Sequence, residues 1–357
     1  MSLVKKLLEG PVDIVGDVHG EIDALKTLVS NLGYDKDGIH PEGRRLVFVG
    51  DLVDRGPDSP AVIRFVKHLI DQGNAQAILG NHELNLLQLK AKDGAGWYFS
   101  ERFEKDVKYK PFNVVSKEDE KFIYDFLSSL PLALERDDLR IVHATWDNEK
   151  INAIRDVPLG TVAKFYSDWE AKIDNDITSS GLLGSYNAEQ KKWEVEQTDP
   201  DGTVPFLEYT CQYNLAHQMT NPVRVLTSGV EQRSQQPFYA SGKWRFVERF
   251  AWWDSYTDNI PVIVGHFWRR FSNNTSDSEN LFKDIEPEAW HGLKHNVFCV
   301  DYSVGGRFVE RNKNATLGED TQLVALRWPE NKLILENGEV IATKNFQENK
   351  VNKKLKP

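Results

Sequence analysis

Cysteine is scarce: Cys211 and Cys299 are the only two in 357 residues. Neither belongs to a Cys-x-x-Cys pair, so neither a thiolate zinc site nor a disulfide framework is indicated, and a reduced, intracellular protein is expected. Long apolar runs are missing as well. The first ten residues carry two adjacent lysines followed by only two leucines, too short for the apolar segment of a signal peptide. No stretch approaches the roughly 18 apolar residues of a membrane span. Positive charge is not in excess: the formal net charge is −10 and the pI about 5.5. An acidic surface repels polyanions, which argues against a general nucleic-acid binder. Bound metal inverts that sign locally, so the argument constrains the surface and not a pocket. Together these absences predict a soluble, cytoplasmic protein with no membrane partner and no nucleic-acid partner.

What remains is a chain that is 40% hydrophobic, enough for a large core. The first third has a strand–loop–helix rhythm. Val12 to Val15 reads as a buried strand, and Ile22, Leu25, Leu28, Val29 and Leu32 recur at helical spacing before Gly33. Leu46 to Val49 is the next strand, Pro60 to Asp71 the next amphipathic helix, and Ala75 to Leu79 a third strand with a helix from about His82. Strands separated by helices imply a largely parallel sheet in an α/β fold. Further strands are expected at 140–142, 223–226, 262–264 and 297–300, with a terminal hairpin of 321–328 and 332–335. We expect a single domain over 1–343 with an insertion around 150–255 beside the active face, and a polar, lysine-rich, disordered tail over 344–357.

Three segments share one context, a short apolar strand, a glycine and then metal-ligand residue types. They are Gly16-Asp17-Val18-His19-Gly20, Gly50-Asp51-Leu52-Val53-Asp54-Arg55-Gly56 and Gly80-Asn81-His82-Glu83. Ligand sites in open α/β sheets lie at the carboxyl ends of the strands, so three such ends can converge on one place. Carboxylates and an amide oxygen suit manganese, and imidazoles suit zinc, iron or manganese. Asp17 and His19 fall on one side of an extended segment. Asp51 has two oxygens and can bridge two cations about 3.5–4 Å apart.

These blocks resemble the signature of the calcineurin-like metallophosphoesterases, and more narrowly the phosphoprotein phosphatase branch; the chain is also similar in length and metal site to the bacterial cold-active protein tyrosine phosphatase group. The resemblance covers about residues 12–90 and returns at Ile141-Val142-His143-Ala144, at Val262-Ile263-Val264-Gly265-His266 and at Asp301 to Gly306. It implies an α/β/β/α sandwich of two mixed sheets flanked by helices. It also implies a phosphomonoester hydrolase with two divalent cations (manganese, iron or zinc), acting by in-line attack of a metal-bound hydroxide. Carried over by position, Asp17 and His19 hold the first cation, Asp51 bridges, and Asn81, His143 and His266 complete the second. His82 is the proton donor to the leaving oxygen, Asp54 orients it, and Arg55 grips phosphate oxygens. A further phosphate-binding arginine is implied, with Arg245, Arg249, Arg269 and Arg270 as candidates. Gly265-His266 is followed by Phe267-Trp268, so the second histidine of the Gly-His-x-His block found in many nucleases and cyclic-nucleotide esterases is absent. That favours the phosphatase branch.

Plainer readings stand beside these. Asn81 could simply cap a helix, with Glu83 in its first turn. His143 and His266 could be buried, hydrogen-bonded core histidines, and Arg55 could tether its loop through Glu83. The aromatics Trp252, Trp253 and Tyr256 could line a substrate pocket, but a core role is the expectation. A phosphorylated protein or a small phosphoester is the expected substrate, with the phosphoprotein favoured. Dinucleoside polyphosphate hydrolysis, known in symmetrical tetraphosphatases whose late Asp…Gly-Gly segment is similar to Asp301 through Gly306, is the alternative. A non-catalytic scaffold binding phosphoproteins is a second alternative; it predicts a missing ligand or acid, and none is missing.

Overall fold

The structure is a computed structural model, and it describes residues 2–240, 242–271 and 281–347. Two mixed sheets face each other. The six-stranded sheet runs in the order Val340–Ala342, Lys332–Leu335, Val324–Trp328, Val12–Val15, Arg45–Phe48 and Ala75–Ala77. Its last three strands are mutually parallel, as strands separated by helices require, and the C-terminal three join antiparallel. The five-stranded sheet runs Val4–Lys6, Ala133–Arg136, Leu139–Val142, Val262–Val264 and Val297–Cys299.

Alternation along the strands divides the core. Val12, Ile14 and Val47 from one sheet and Leu134, Ile141, Ile263 and Phe298 from the other share the cluster between the sheets. Val15, Leu46 and Phe48 point the other way, where they meet Leu25 and Leu28 of the helix Ile22–Asn31 and Val62, Ile63 and Val66 of the helix Ser59–Asp71. On the second sheet, Val142 and Val264 fall in that same outer cluster with Ile151, Ile154, Val223 and Leu226. This is the α/β/β/α arrangement: the central strands are buried on both faces, and their side chains alternate between the inner and outer clusters.

The middle region is mostly helical, with Val162–Ser179, Leu182–Lys192, Glu208–Thr220 and Pro222–Ser228 followed by an antiparallel hairpin of Glu231–Ala240 and Lys243–Arg249. A small core of Val204, Leu207, Cys211, Phe246 and Val247 fixes the hairpin to the third of these helices. The strand expected at 223–226 is therefore a helix. The reason is local: Asn221 accepts a hydrogen bond from the Val223 amide at 3.1 Å, and Pro222 occupies the first helical position, where its missing N–H costs nothing.

Cys211 and Cys299 are free and buried. Among the described residues no helix is long and apolar enough to cross a membrane. The start of the segment expected to be disordered is packed: the Lys344 amide donates to the Glu288 carbonyl, and the Phe346 ring lies 4.5 Å from that of Trp290. Residues 348–357 lie outside the described residues.

Candidate metal centre

The carboxyl ends of Val12–Val15, Arg45–Phe48 and Ala75–Ala77 deliver the three loops to one point, and those of Leu139–Val142 and Val262–Val264 deliver His143 and His266 from the other sheet. Non-glycine residues in the left-handed region concentrate here: His19, Asp51, Asp54, Arg55 and His266 have φ between 46° and 74°. Each such residue costs about 1–3 kcal/mol and persists only where its surroundings over-determine it.

Glu83 does much of that determining. Its fully buried carboxylate accepts the amides of Asp51 (2.9 Å), Leu52 (2.7 Å), Val53 (3.3 Å) and Gly80 (2.8 Å), joining the second and third loops. Gly80, not Asn81, caps the helix Asn81–Leu87, which leaves the Asn81 side chain at the first helical position and free for other work. Glu83 therefore serves the loops' backbone and does not tether Arg55.

Asp51 is the hub. Its Oδ2 lies 3.3 Å from His143 Nε2, 3.8 Å from His19 Nε2 and 3.9 Å from His82 Nε2, and its Oδ1 accepts the His82 amide at 3.0 Å. Two groups of candidate ligand atoms share it, His19–Asp51–His82 and Asp51–His143–His266, each within 4.8 Å. Nδ1 of His19 meets the Val53 carbonyl at 3.0 Å and Nδ1 of His143 the Val49 carbonyl at 2.7 Å, turning both Nε2 atoms inward. Asn81 Oδ1 lies 2.8 Å from His266 Nδ1. The amide of His266 donates to both oxygens of Asp17, at 3.2 and 3.1 Å.

The electrostatics are those of a crowded acid cluster. Burial, reinforced by Asp301 and Asp51, pushes the Asp17 carboxyl well above its usual range. Burial also lifts Asp301 to about 6. Burial opposes ionisation of Asp51 too, but His143 and His82 outweigh it and hold that carboxyl well down. Burial and then Arg55 depress His19; burial and then Arg249 depress His266. His82 and His143 are raised although burial works against them, chiefly because Asp51 faces both.

The family model of the calcineurin-like phosphoesterases matches residues 10–208. The chain belongs to that family. Such phosphoesterases hydrolyse phosphoesters and typically hold two divalent metals. Among similar proteins, the asymmetrical bis(5'-nucleosyl)-tetraphosphatase PrpE of Halalkalibacterium halodurans is 53% identical over 73 residues, 20% of this chain and 30% of that protein. The symmetrical bis(5'-nucleosyl)-tetraphosphatase of Vibrio campbellii is 35% identical over 143 residues, 38% of this chain and 46% of that protein. Both matches thus span less than half of the relative's length. The cold-active protein tyrosine phosphatase of a psychrophilic Shewanella superposes over 95% of this chain and 82% of its own, with 17% identity and a TM-score of 0.43.

The residues present fit the cations expected in this phosphoesterase family. His143 Nε2, His266 Nε2 and Asp301 Oδ2 are buried without a hydrogen-bond partner, and all face a region where Asp17, Asp51 and Asp301 are crowded out of water. Bound cations would satisfy both the open lone pairs and the uncompensated negative charge. Asp301 is a member of this group that the loop motifs alone did not assign.

His82 Nδ1 lies 2.6 Å from Asp54 Oδ2. Arg55 has Nε and Nη1 buried with no partner and lies over the Trp268 ring, 4.9 Å from its centroid. Of the four other arginines, Arg269 is spent on the carbonyls of Cys299, Glu286 and Ala289, and Arg245 lines a cavity among the middle helices with Tyr186 and Trp244. Arg249 is the one whose charge depresses His266, and Arg270 has its Nε buried without a hydrogen-bond partner. Trp252, Trp253 and Tyr256 are core residues, at most 6% exposed.

Proposed function

We propose that the protein is a dinuclear-metal-dependent phosphomonoester hydrolase acting on phosphoproteins, at phosphotyrosine and/or phosphoserine/threonine. The observation that carries this reading is the position of Asp51, with candidate ligands of two cations grouped around one carboxylate and the His82–Asp54 pair beside them. Asp17, His19 and Asp51 would hold one cation, and Asp51, Asn81, His143 and His266 the other. When bound, manganese, iron or zinc supplies Lewis acidity to water and to phosphoryl oxygens.

The chain's own groups do the rest. Asp54 receives Nδ1–H of His82 and so leaves Nε2 as the atom that gives a proton to the departing oxygen. Arg55, unpartnered at two nitrogens, grips equatorial phosphate oxygens with its planar fork, and the charge of Arg249 makes it the candidate for a second grip. Trp268 fills the place of a second histidine and stacks on Arg55, in keeping with monoester chemistry.

A second reading, cleavage of a dinucleoside tetraphosphate, is favoured by the names of the two bacterial relatives. Kinetics on a phosphotyrosine peptide, a phosphoserine peptide and diadenosine tetraphosphate, repeated with manganese, zinc, iron and magnesium, separate the two. Turnover of a peptide is expected. A preference for the dinucleotide of about 100-fold in kcat/KM, about 2.7 kcal/mol, supports the second reading instead. No turnover of any of the three with any metal removes both.

A further inference from the structure

We propose that Trp97 is a positioning residue for the proton donor, acting through the Asp54 oxygen that His82 does not use; the inference rests on the reading of His82 as the acid. Asp54 divides its carboxylate between two partners. Oδ2 meets His82 Nδ1 at 2.6 Å, and Oδ1 accepts from the indole Nε1 of Trp97, also at 2.6 Å. Both Asp54 and Trp97 are almost fully buried, so water does not replace that donor.

An indole nitrogen only donates. Opposite Oδ1 it leaves one way to orient the carboxylate, with Oδ2 turned to the imidazole as acceptor. Nδ1 of His82 is then the donor in that pair, and Nε2 is the nitrogen left on the side of Asp51. The tautomer of the acid is thus set from a residue that touches neither the acid nor the substrate. The sequence gives no hint of this contact, because Trp97 lies in a segment with no periodic pattern.

Trp97 is itself held rigidly. Asp106, fully buried, accepts the amides of Gly94 at 3.1 Å and Gly96 at 2.8 Å and pairs with Arg102. A Cβ at Gly96 would press on Asp106 at 3.0 Å. The Gly94 carbonyl accepts the Arg55 amide at 3.1 Å, so one pinned turn positions Trp97 and the backbone of the phosphate-gripping arginine together.

The test compares Trp97→Phe and a protein carrying 3-benzothienylalanine at this position, which keeps the shape of the side chain and removes only the N–H. Both are assayed on phenyl phosphates of graded leaving-group pKa. Protonation matters most for poor leaving groups, and a group orienting a reactive side chain is worth about 10–100-fold. We expect kcat on unsubstituted phenyl phosphate to fall by that factor, kcat on 4-nitrophenyl phosphate to fall less than about threefold, and KM to hold. The benzothienyl protein remains informative where Trp97→Phe does not fold. Equal losses on both substrates, or no loss in the benzothienyl protein, overturn the inference. His82→Asn is the control. If it too lacks leaving-group dependence, the assignment of His82 as the acid is what fails; if it shows that dependence while the Trp97 proteins do not, only the role of Trp97 falls.

Discussion

The Oδ1 of Asn81 and the Nδ1 of His266 lie 2.8 Å apart although 185 positions separate them in the chain. Asn81 opens a helix that leaves the six-stranded sheet, and His266 follows a strand of the five-stranded sheet. The centre is therefore assembled across the mouth of the sandwich. Neither sheet alone carries the candidate ligand set, and the fold's two-sheet packing is a precondition of the chemistry.

That division makes a stoichiometric prediction. Removing a ligand drawn from one group only, by His266→Ala or Asn81→Ala, should weaken one cation site and spare the other. Elemental analysis of protein exchanged into metal-free buffer should then fall from about two metals per chain toward one, with kcat lower by about 10²-fold or more. Retention of both metals by His266→Ala would remove that residue from the ligand set.

Glu83 offers a test of how the loops are held. In Glu83→Gln one oxygen becomes an NH₂ group facing amide donors that the carboxylate had accepted, inside a site with no access to water. Leaving such donors unsatisfied costs about 2–3 kcal/mol. The melting temperature should drop by roughly 3–4 °C, and metal affinity should weaken about 10–100-fold because the ligand-bearing loops lose their common anchor.

How much of this was readable beforehand depends on whether the signal was local. The ligand blocks were legible because each couples a strand, a glycine and ligand residue types within a few positions, and the two later histidines follow apolar strands. Trp97 and Asp106 were not, because nothing local ties them to Asp54. The helix at Pro222–Ser228 stands where a strand is expected because Val223, Val225 and Leu226 suit either structure, and the Asn221-Pro222 start signal is what decides between them. The hairpin strand Glu231–Ala240 carries no legible signal because it is largely polar and partly exposed, without the alternation that marks a half-buried strand.

The middle helices carry an ion-pair cluster with a definite pH signature. Burial pushes Glu170 up, but the His217 ring, its Nδ1 3.4 Å away, and hydrogen bonds from Arg224 and Asn221 outweigh it and hold its carboxyl below the usual range. A carboxyl depressed in the folded state stabilises above its unfolded value of about 4.3 and loses that contribution as pH falls through and below it. Thermal melts from pH 7 to pH 3 should show the natural protein losing stability on the acid side. Glu170→Gln should be less stable by about 2 kcal/mol at pH 7 and show a flatter acid limb. Parallel acid limbs for the two proteins would contradict this.

Arg55 is the residue whose chemistry can be separated from metal binding. It is a left-handed residue at φ 66°, with two buried nitrogens lacking a partner and its guanidinium over Trp268. A lysine keeps the charge but loses both the planar fork and the stack. Arg55→Lys should therefore retain its metals, while kcat/KM on phosphomonoesters falls by about 10²-fold, or about 2.7 kcal/mol of transition-state stabilisation. Trp268→Leu removes only the stack, worth about 0.5–1 kcal/mol, and should raise KM a few-fold with kcat nearly unchanged. Were Arg55→Lys to lose metal in proportion to activity, the arginine would be acting on the architecture of the centre and not on the phosphate.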